Sequence, residues 1–237
     1  MAIYITGDTH GERSRIAYLD NQLKAGDYII VCGDFGYVFE DDVYERHFLD
    51  DIEAREYTIL FVDGNHENFP AIYQYPEEEW CGGRIHRIRK NIIHLQRGQV
   101  FEIEGYTFFT FGGGYSIDKA SRIEGLSWWK EELPTMAEYD EGNRNLDRHN
   151  RKVDFIITHT LNNESIKVLS GMDRSGEIKP YFTDEAFFNS YLEDIRKTTS
   201  YKKWYFGHFH RDMSIKYTKQ RALWFDIIKI GEEDNDD

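Results

Sequence analysis

Cysteine is scarce in this chain. Cys32 and Cys81 are the only two, too few for a disulfide framework, and Cys32 sits in an apolar run where a buried thiol is expected. No apolar stretch reaches the roughly 20 residues that a helix needs to cross a bilayer. The start, Met1-Ala2-Ile3-Tyr4-Ile5, runs directly into a polar motif and has neither the basic lead nor the long apolar core of a secretory signal. These absences fit a cytoplasmic protein with no membrane partner. Positive charge is also in deficit: the formal net charge is −14. That argues against a nucleic-acid partner, whose affinity comes from phosphates neutralised by Lys and Arg. No internal repeat and no low-complexity linker interrupts the chain.

What is present suits one substantial core. With 237 residues, 40% hydrophobic, and 16 each of Tyr and Phe, burial can offset the entropy lost on ordering. One domain is expected over residues 1–230, followed by a flexible acidic tail, 231–237, that has nothing to bury. Apolar runs at 2–6, 28–32, 58–62, 155–158 and 203–206 have the length and composition of buried strands. Between them, 13–24, 41–55, 135–151 and 183–198 mix charged and apolar residues as amphipathic helices do. Runs at 92–95, 99–103 and 106–111 predict an antiparallel meander, and 213–217 with 222–230 a closing strand pair. The order implies an α/β fold with helices outside stacked sheets.

Five apolar runs end in side chains able to ligate a metal, four of these clusters containing glycine. They are Gly7-Asp8-Thr9-His10-Gly11, Gly33-Asp34, Gly64-Asn65-His66-Glu67, His159 after Thr158, and Gly207-His208-Phe209-His210. In α/β sheets, ligands gather beyond the carboxyl ends of the strands, where loops converge, so five such loops can build one site. Asp8 and His10, two apart, can turn to one point, and His208 and His210 repeat that spacing. Carboxylate oxygen, imidazole nitrogen and amide oxygen together suit Mn, Fe, Zn, Co or Ni, whereas calcium takes more oxygen. Any one cluster has a plain reading, since Gly-Asp after a strand is commonly a turn. Repetition after five runs is what a metal site requires. Bound cations would also let so acidic a chain accept an anionic substrate.

The ordered set resembles the calcineurin-like metallophosphoesterase superfamily, whose members share Asp-x-His, Gly-Asp, Gly-Asn-His-Asp/Glu, a lone His and Gly-His-x-His. The blocks run from Asp8 to His210, nearly the whole chain. The resemblance implies a two-sheet β-sandwich flanked by helices and two divalent metal ions. One would be held by Asp8, His10, Asp34 and His210, the other by Asp34, Asn65, His159 and His208, with Asp34 bridging. It implies hydrolysis of a small phosphomonoester or phosphodiester by a metal-bridging hydroxide, with Asp34 and His66 as catalytic residues. His66, beside Asn65, would contact the phosphoryl group and protonate the leaving oxygen.

The chain departs from the protein Ser/Thr phosphatase branch, which carries Gly-Asp-x-x-Asp-Arg-Gly and Arg-Gly-Asn-His-Glu. Here the segments are Gly33-Asp34-Phe35-Gly36-Tyr37 and Asp63-Gly64-Asn65-His66-Glu67. The usual phosphate-binding arginine is missing, and so is the acidic partner of the catalytic histidine, a place Asp63 or Glu67 could fill. Substrate contacts are placed on the segment from Gly112 to Pro134, at Arg122 and Trp128, because it combines glycine turns, cations and aromatics; packing of this loop onto the core is the alternative. The basic cluster Arg84, His86, Arg87, Arg89 and Lys90 is expected to be the solvated side of a strand, and His47, His86, His94 and His149 ordinary histidines. Ser/Thr protein phosphatase-like or nucleotide phosphohydrolase activity is the alternative among enzymes. A non-catalytic scaffold is the alternative outside them, and it would have lost ligands or His66; none is lost here.

Overall fold

Ile3–Thr6 (β1), Tyr28–Cys32 (β2) and Thr58–Val62 (β3) are almost wholly buried. They lack polar alternation because they pair in parallel with both faces covered. The computed structural model describes residues 1–176, 178 and 184–231. In it β1, β2 and β3 lie in a seven-stranded sheet with Glu77–Trp80 (β4), Gly83–Arg89 (β5), Ile92–Leu95 (β6) and Ile228–Lys229 (β13), ordered β13-β1-β2-β3-β6-β5-β4. A six-stranded sheet holds Gln99–Ile103 (β7), Tyr106–Phe111 (β8), Phe155–Thr158 (β9), Lys203–Phe206 (β10), Met213–Ser214 (β11) and Gln220–Ala222 (β12), ordered β11-β12-β10-β9-β8-β7. Expected tail residues 232–237 lie outside the described residues, as do 181–183. No described helix is long and apolar enough to cross a membrane.

Strand parity divides the core into three. Ile30 and Cys32 of β2 join Leu60, Phe108, Phe155 and Ile157 in the layer between the sheets. Their neighbours Ile29 and Val31 face the other way, onto Ile16 and Leu19 of Arg13–Gln22 (α1) and Leu49 and Ile52 of Val43–Glu53 (α2). On the far side, Phe109, Phe111, Ile156 and Trp204 pack on Leu146 of Met136–Arg148 (α4), Leu169 of Asn163–Met172 (α5) and Leu192 of Ala186–Thr198 (α6). The result is a two-sheet sandwich with helices on both outer faces. Thr135 and Glu138 form a reciprocal capping box that starts α4, a device worth about 1 kcal/mol.

Two expected strand pairings differ. The three-strand meander is instead split: β6 lies beside β3 and β5 in the first sheet, while β7 and β8 form a hairpin in the second. The chain changes sheets at Gln96-Arg97-Gly98, where Gly98 takes φ +72° and a Cβ would sit 2.7 Å from Gly142 N of α4. Likewise β11 pairs with β12, but β13 crosses to pair with β1. A buried apolar run carries no mark of which sheet it joins. Helix α5 and the short Phe69–Tyr73 (α3) were not anticipated.

Candidate metal centre

The parallel strands β1, β2 and β3 end at one edge of the first sheet, and β9 and β10 end at one edge of the second. Their five exit loops meet there. Asp8, His10, Asp34, His208 and His210 all have positive φ, between 39° and 67°. Non-glycine residues enter this left-handed region at a cost of about 1–3 kcal/mol each, so such a concentration marks a functional site. The loops are pinned by His10 N–H donating to Asp34 O (2.8 Å) and Gly11 N–H to Phe35 O (3.0 Å). Glycine is required at 64 by space, and at 33 both by space and by a φ of +86°. A Cβ on Gly33 would lie 2.2 Å from His159 Nδ1, and one on Gly64 would lie 2.0 Å from Asp34 Oδ1.

The seven expected ligands come together as two groups about Asp34. In the first, His10 Nε2 and His210 Nε2 are 2.9 Å apart, and the donor atoms of Asp8, His10, Asp34 and His210 all lie within 4.8 Å of one another. In the second, Asn65 Oδ1 is 2.9 Å from both His159 Nε2 and His208 Nδ1, which are 3.2 Å apart. Asp34 Oδ2 faces His10 Nε2 of the first at 3.6 Å, and its Oδ1 faces His159 Nε2 of the second at 3.4 Å.

Proton accounting shows what this arrangement suits. His159 Nδ1 is 2.9 Å from Cys32 O, so it carries the ring proton and Nε2 presents a lone pair. Asn65 Nδ2 donates to Ser116 Oγ at 3.1 Å, which turns Oδ1 toward the rings. Asp34 Oδ1 takes the backbone N–H of His66, but the acceptors Asn65 Oδ1 and His159 Nε2 face each other at 2.9 Å with only His208 Nδ1 able to bring a proton. A cation satisfies such a set; hydrogen bonding alone does not. Burial holds His208 well below the usual histidine range and His210 down at about 4, the neutral form that binds metal. Burial works against ionisation of Asp34, yet His159, His66 and His10 keep it below the ordinary carboxylate range. Asp8 is driven up by burial and by the charge of Asp34, a repulsion that a shared cation relieves.

His66 stands at the open side. Its N–H donates to Asp34 Oδ1 at 2.8 Å, and its Nε2 lies 3.4 Å from Arg122 Nη2. Neither acidic residue considered as its partner touches it. Asp63 accepts from Arg97 Nε at 2.8 Å and lies 3.1 Å from His94 Nε2, while Glu67 accepts from Phe35 N–H at 2.7 Å and Gly36 N–H at 3.3 Å. Both carboxylates are spent on holding the loops that carry Asp34 and Asn65. Arg122, anchored by Asp118 (2.8 Å) and Ser127 O (3.0 Å), reaches the centre from an unrelated loop. Trp128 does not: its ring lies under Lys119 Nζ at 5.5 Å, and neither cavity flanking the centre includes it. Arg84, Arg87 and Arg89 of the basic cluster are paired with Glu141, Glu78 and Asp50.

Three supporting residues went unnoticed in the sequence. Ser116 orients Asn65. Trp224 stacks on His210 with ring centroids 5.1 Å apart and planes 14° apart. Arg15 Nη2 donates to Thr6 Oγ1, Gly7 O and Trp224 O at 3.0, 3.1 and 2.6 Å. An arginine in a helix's first turn and a tryptophan 14 residues past His210 carry no local signal of such roles.

Comparison with known proteins agrees with this geometry. The family model described as calcineurin-like phosphoesterase matches residues 1–212. Among curated proteins no sequence matches this chain. A crystal structure described as a candidate 5′-nucleotidase from Staphylococcus aureus, in complex with alpha-ketoglutarate, superposes with a TM-score of 0.51 at 16% identity. The match covers 96% of this chain and 50% of that one, so the chain spans about half the length of that protein. At that identity the likeness speaks for the fold. The motif order, the converging ligands and the family match together place the chain among the calcineurin-like phosphoesterases.

Proposed function

We propose that the chain hydrolyses small phosphate mono- or diesters at a centre of two divalent metal ions. Asp8, His10, Asp34 and His210 would hold one, and Asp34, Asn65, His159 and His208 the other. The observation that carries this reading is Asp34, whose two oxygens each face a histidine of a different ligand group, at 3.6 and 3.4 Å. Four imidazoles, two carboxylates and an amide oxygen suit Mn, Fe, Zn, Co or Ni. When bound, the pair supplies Lewis-acid charge that acidifies water and neutralises phosphoryl oxygens.

The chain's own residues do the rest. Arg122 Nη2 and His66 Nε2 converge at 3.4 Å, so a phosphoryl oxygen entering there meets a fixed positive charge and an imidazole. Arg122 thus takes the place of the arginine absent from the Asn65 block. His66, tethered through its N–H to Asp34, is placed to give a proton to the leaving oxygen. Elemental analysis of wild type and Asp34→Asn tests the bridging role. Two metal ions per wild-type chain are expected, with both diminished and activity reduced at least 100-fold in the variant. Full activity with one metal per chain, or unchanged metal content in Asp34→Asn, would sink the dinuclear reading.

A further inference from the structure

Resting on the phosphoesterase reading, we infer that the substrate carries a second anionic group beyond the phosphoryl group that is cleaved, and that Arg13 receives it. A cavity of about 480 Å³ opens beside the metal centre, lined by His10 and His66 of that centre and by Arg13 and Arg122 among others. That is the size of a pocket for a small organic ligand. A lone phosphoryl group fills only a fraction of it, so the space serves what is attached to the phosphate.

Charge decides what that is. The chain is strongly acidic, with a formal net charge of −14, and the cavity's other arginine, Arg122, is paired with Asp118. Arg13 has no carboxylate partner among the described residues. Its guanidinium lies 4.5 Å over the Phe48 ring, which fixes the group without consuming its N–H donors. Its backbone is equally fixed, because it follows His10-Gly11-Glu12 and that loop is tied to Asp34 and Phe35. A positioned, unpaired guanidinium in a cleft that begins at a phosphoryl-handling site is a receptor for a further anion.

The carboxylates of the same lining, Glu40, Asp42 and Glu45, limit the anion's size. Asp42 accepts from Glu45 N–H at 2.7 Å, and Glu45 accepts from Phe39 and Glu40 N–H at 2.7 Å each, but the Glu40 carboxylate has no such partner among the described residues. The cavity therefore sets two arginines among three carboxylates. A long polyanion would be repelled by the carboxylates, so the substrate class is a small phosphate ester with one additional phosphate or carboxylate.

The test uses the metal-loaded full chain and three esters of similar leaving group: phenyl phosphate, 3-carboxyphenyl phosphate and 1,3-phenylene bisphosphate. Wild type should favour at least one doubly anionic ester over phenyl phosphate by about tenfold in kcat/KM, the worth of one charge-assisted hydrogen bond, and through KM. Which one is favoured distinguishes carboxylate from phosphate. Arg13→Ala should reduce that preference to within twofold while costing less than threefold on phenyl phosphate, and Arg13→Lys should retain part of it. Equal treatment of all three esters by wild type, or an equal loss on all three in Arg13→Ala, would overturn the inference and leave the phosphoesterase reading standing. Absence of metal-stimulated phosphate release from every ester would overturn both.

Discussion

Gly64 and Gly105 illustrate how differently two glycines are constrained. Gly64 needs no unusual φ, but a methyl there would lie 2.0 Å from Asp34 Oδ1 and 2.3 Å from Asp34 N. Gly105, with φ +81°, has nothing within 4 Å of its would-be Cβ and serves the Glu104-Gly105 turn of the β7–β8 hairpin, where both residues have positive φ. Gly64→Ala should therefore push Asp34 off its position, with metal content falling and activity dropping at least 100-fold while circular dichroism stays native. Gly105→Ala should cost about 1 kcal/mol of stability and leave metal content and turnover alone. If urea melts and metal analysis show the two variants behaving alike, Asp34 is not held as tightly as the geometry implies.

At the scale of elements, the segment after β12 reaches back to the centre. Asp212 Oδ1 accepts from Trp224 N–H at 2.7 Å and from Asp226 N–H at 3.0 Å, and its Oδ2 accepts from Phe225 N–H at 3.0 Å. With Arg15 binding Trp224 O from α1, these contacts hold the Trp224 ring flat against His210, although Trp224 lies beyond the residues that the family model matches. Trp224→Ala should weaken metal binding at the His210 group about three- to tenfold, the worth of a stacked aromatic pair, and Trp224→Phe should recover most of it. Metal titration would show this as one affinity shifted and the other constant; no shift in either would make Trp224 mere packing.

This segment also marks where sequence reading runs out. The five exit loops were legible because each joins an apolar run to ligand-type side chains, most of them beside glycine, a local pattern. So were β2, β3, β9 and β10, whose observed bounds are those of the apolar runs. Sheet membership of β6, β7 and β13 was not: β6 and β7 are almost wholly buried and carry no periodicity to say what lies on either side, and β13, two half-buried residues, is too short to show any. The roles of Trp224, Arg15 and Ser116 arise from contacts between residues far apart in sequence. The partners of Asp63 were equally invisible, for Arg97 and His94 sit on and after a strand whose sheet had been misplaced.

On the scale of the whole molecule, the centre is a cross-link between the two sheets. Asp8, His10 and Asp34 follow β1 and β2 of the first sheet, and His210 follows β10 of the second. The other group likewise joins Asn65 after β3 to His159 after β9 and His208 after β10. Without cations this seam is unfavourable: Asp8 and Asp34 are buried side by side, and ring nitrogens crowd one another at 2.9 Å and 3.2 Å. A ligand that binds only the folded chain stabilises it by about 2.7 kcal/mol at a free concentration 100 times its Kd. For a domain of this size each kcal/mol moves Tm by about 2–4 °C. Stripping the metals with a chelator should thus lower Tm by roughly 5–10 °C, and returning Mn or Zn should restore it, with hydrogen exchange rising together in the loops after β2 and β10. Should exchange rise in one sheet's loops alone, or Tm stay fixed while elemental analysis reports the metals gone, the ions would not be joining the two halves of the fold.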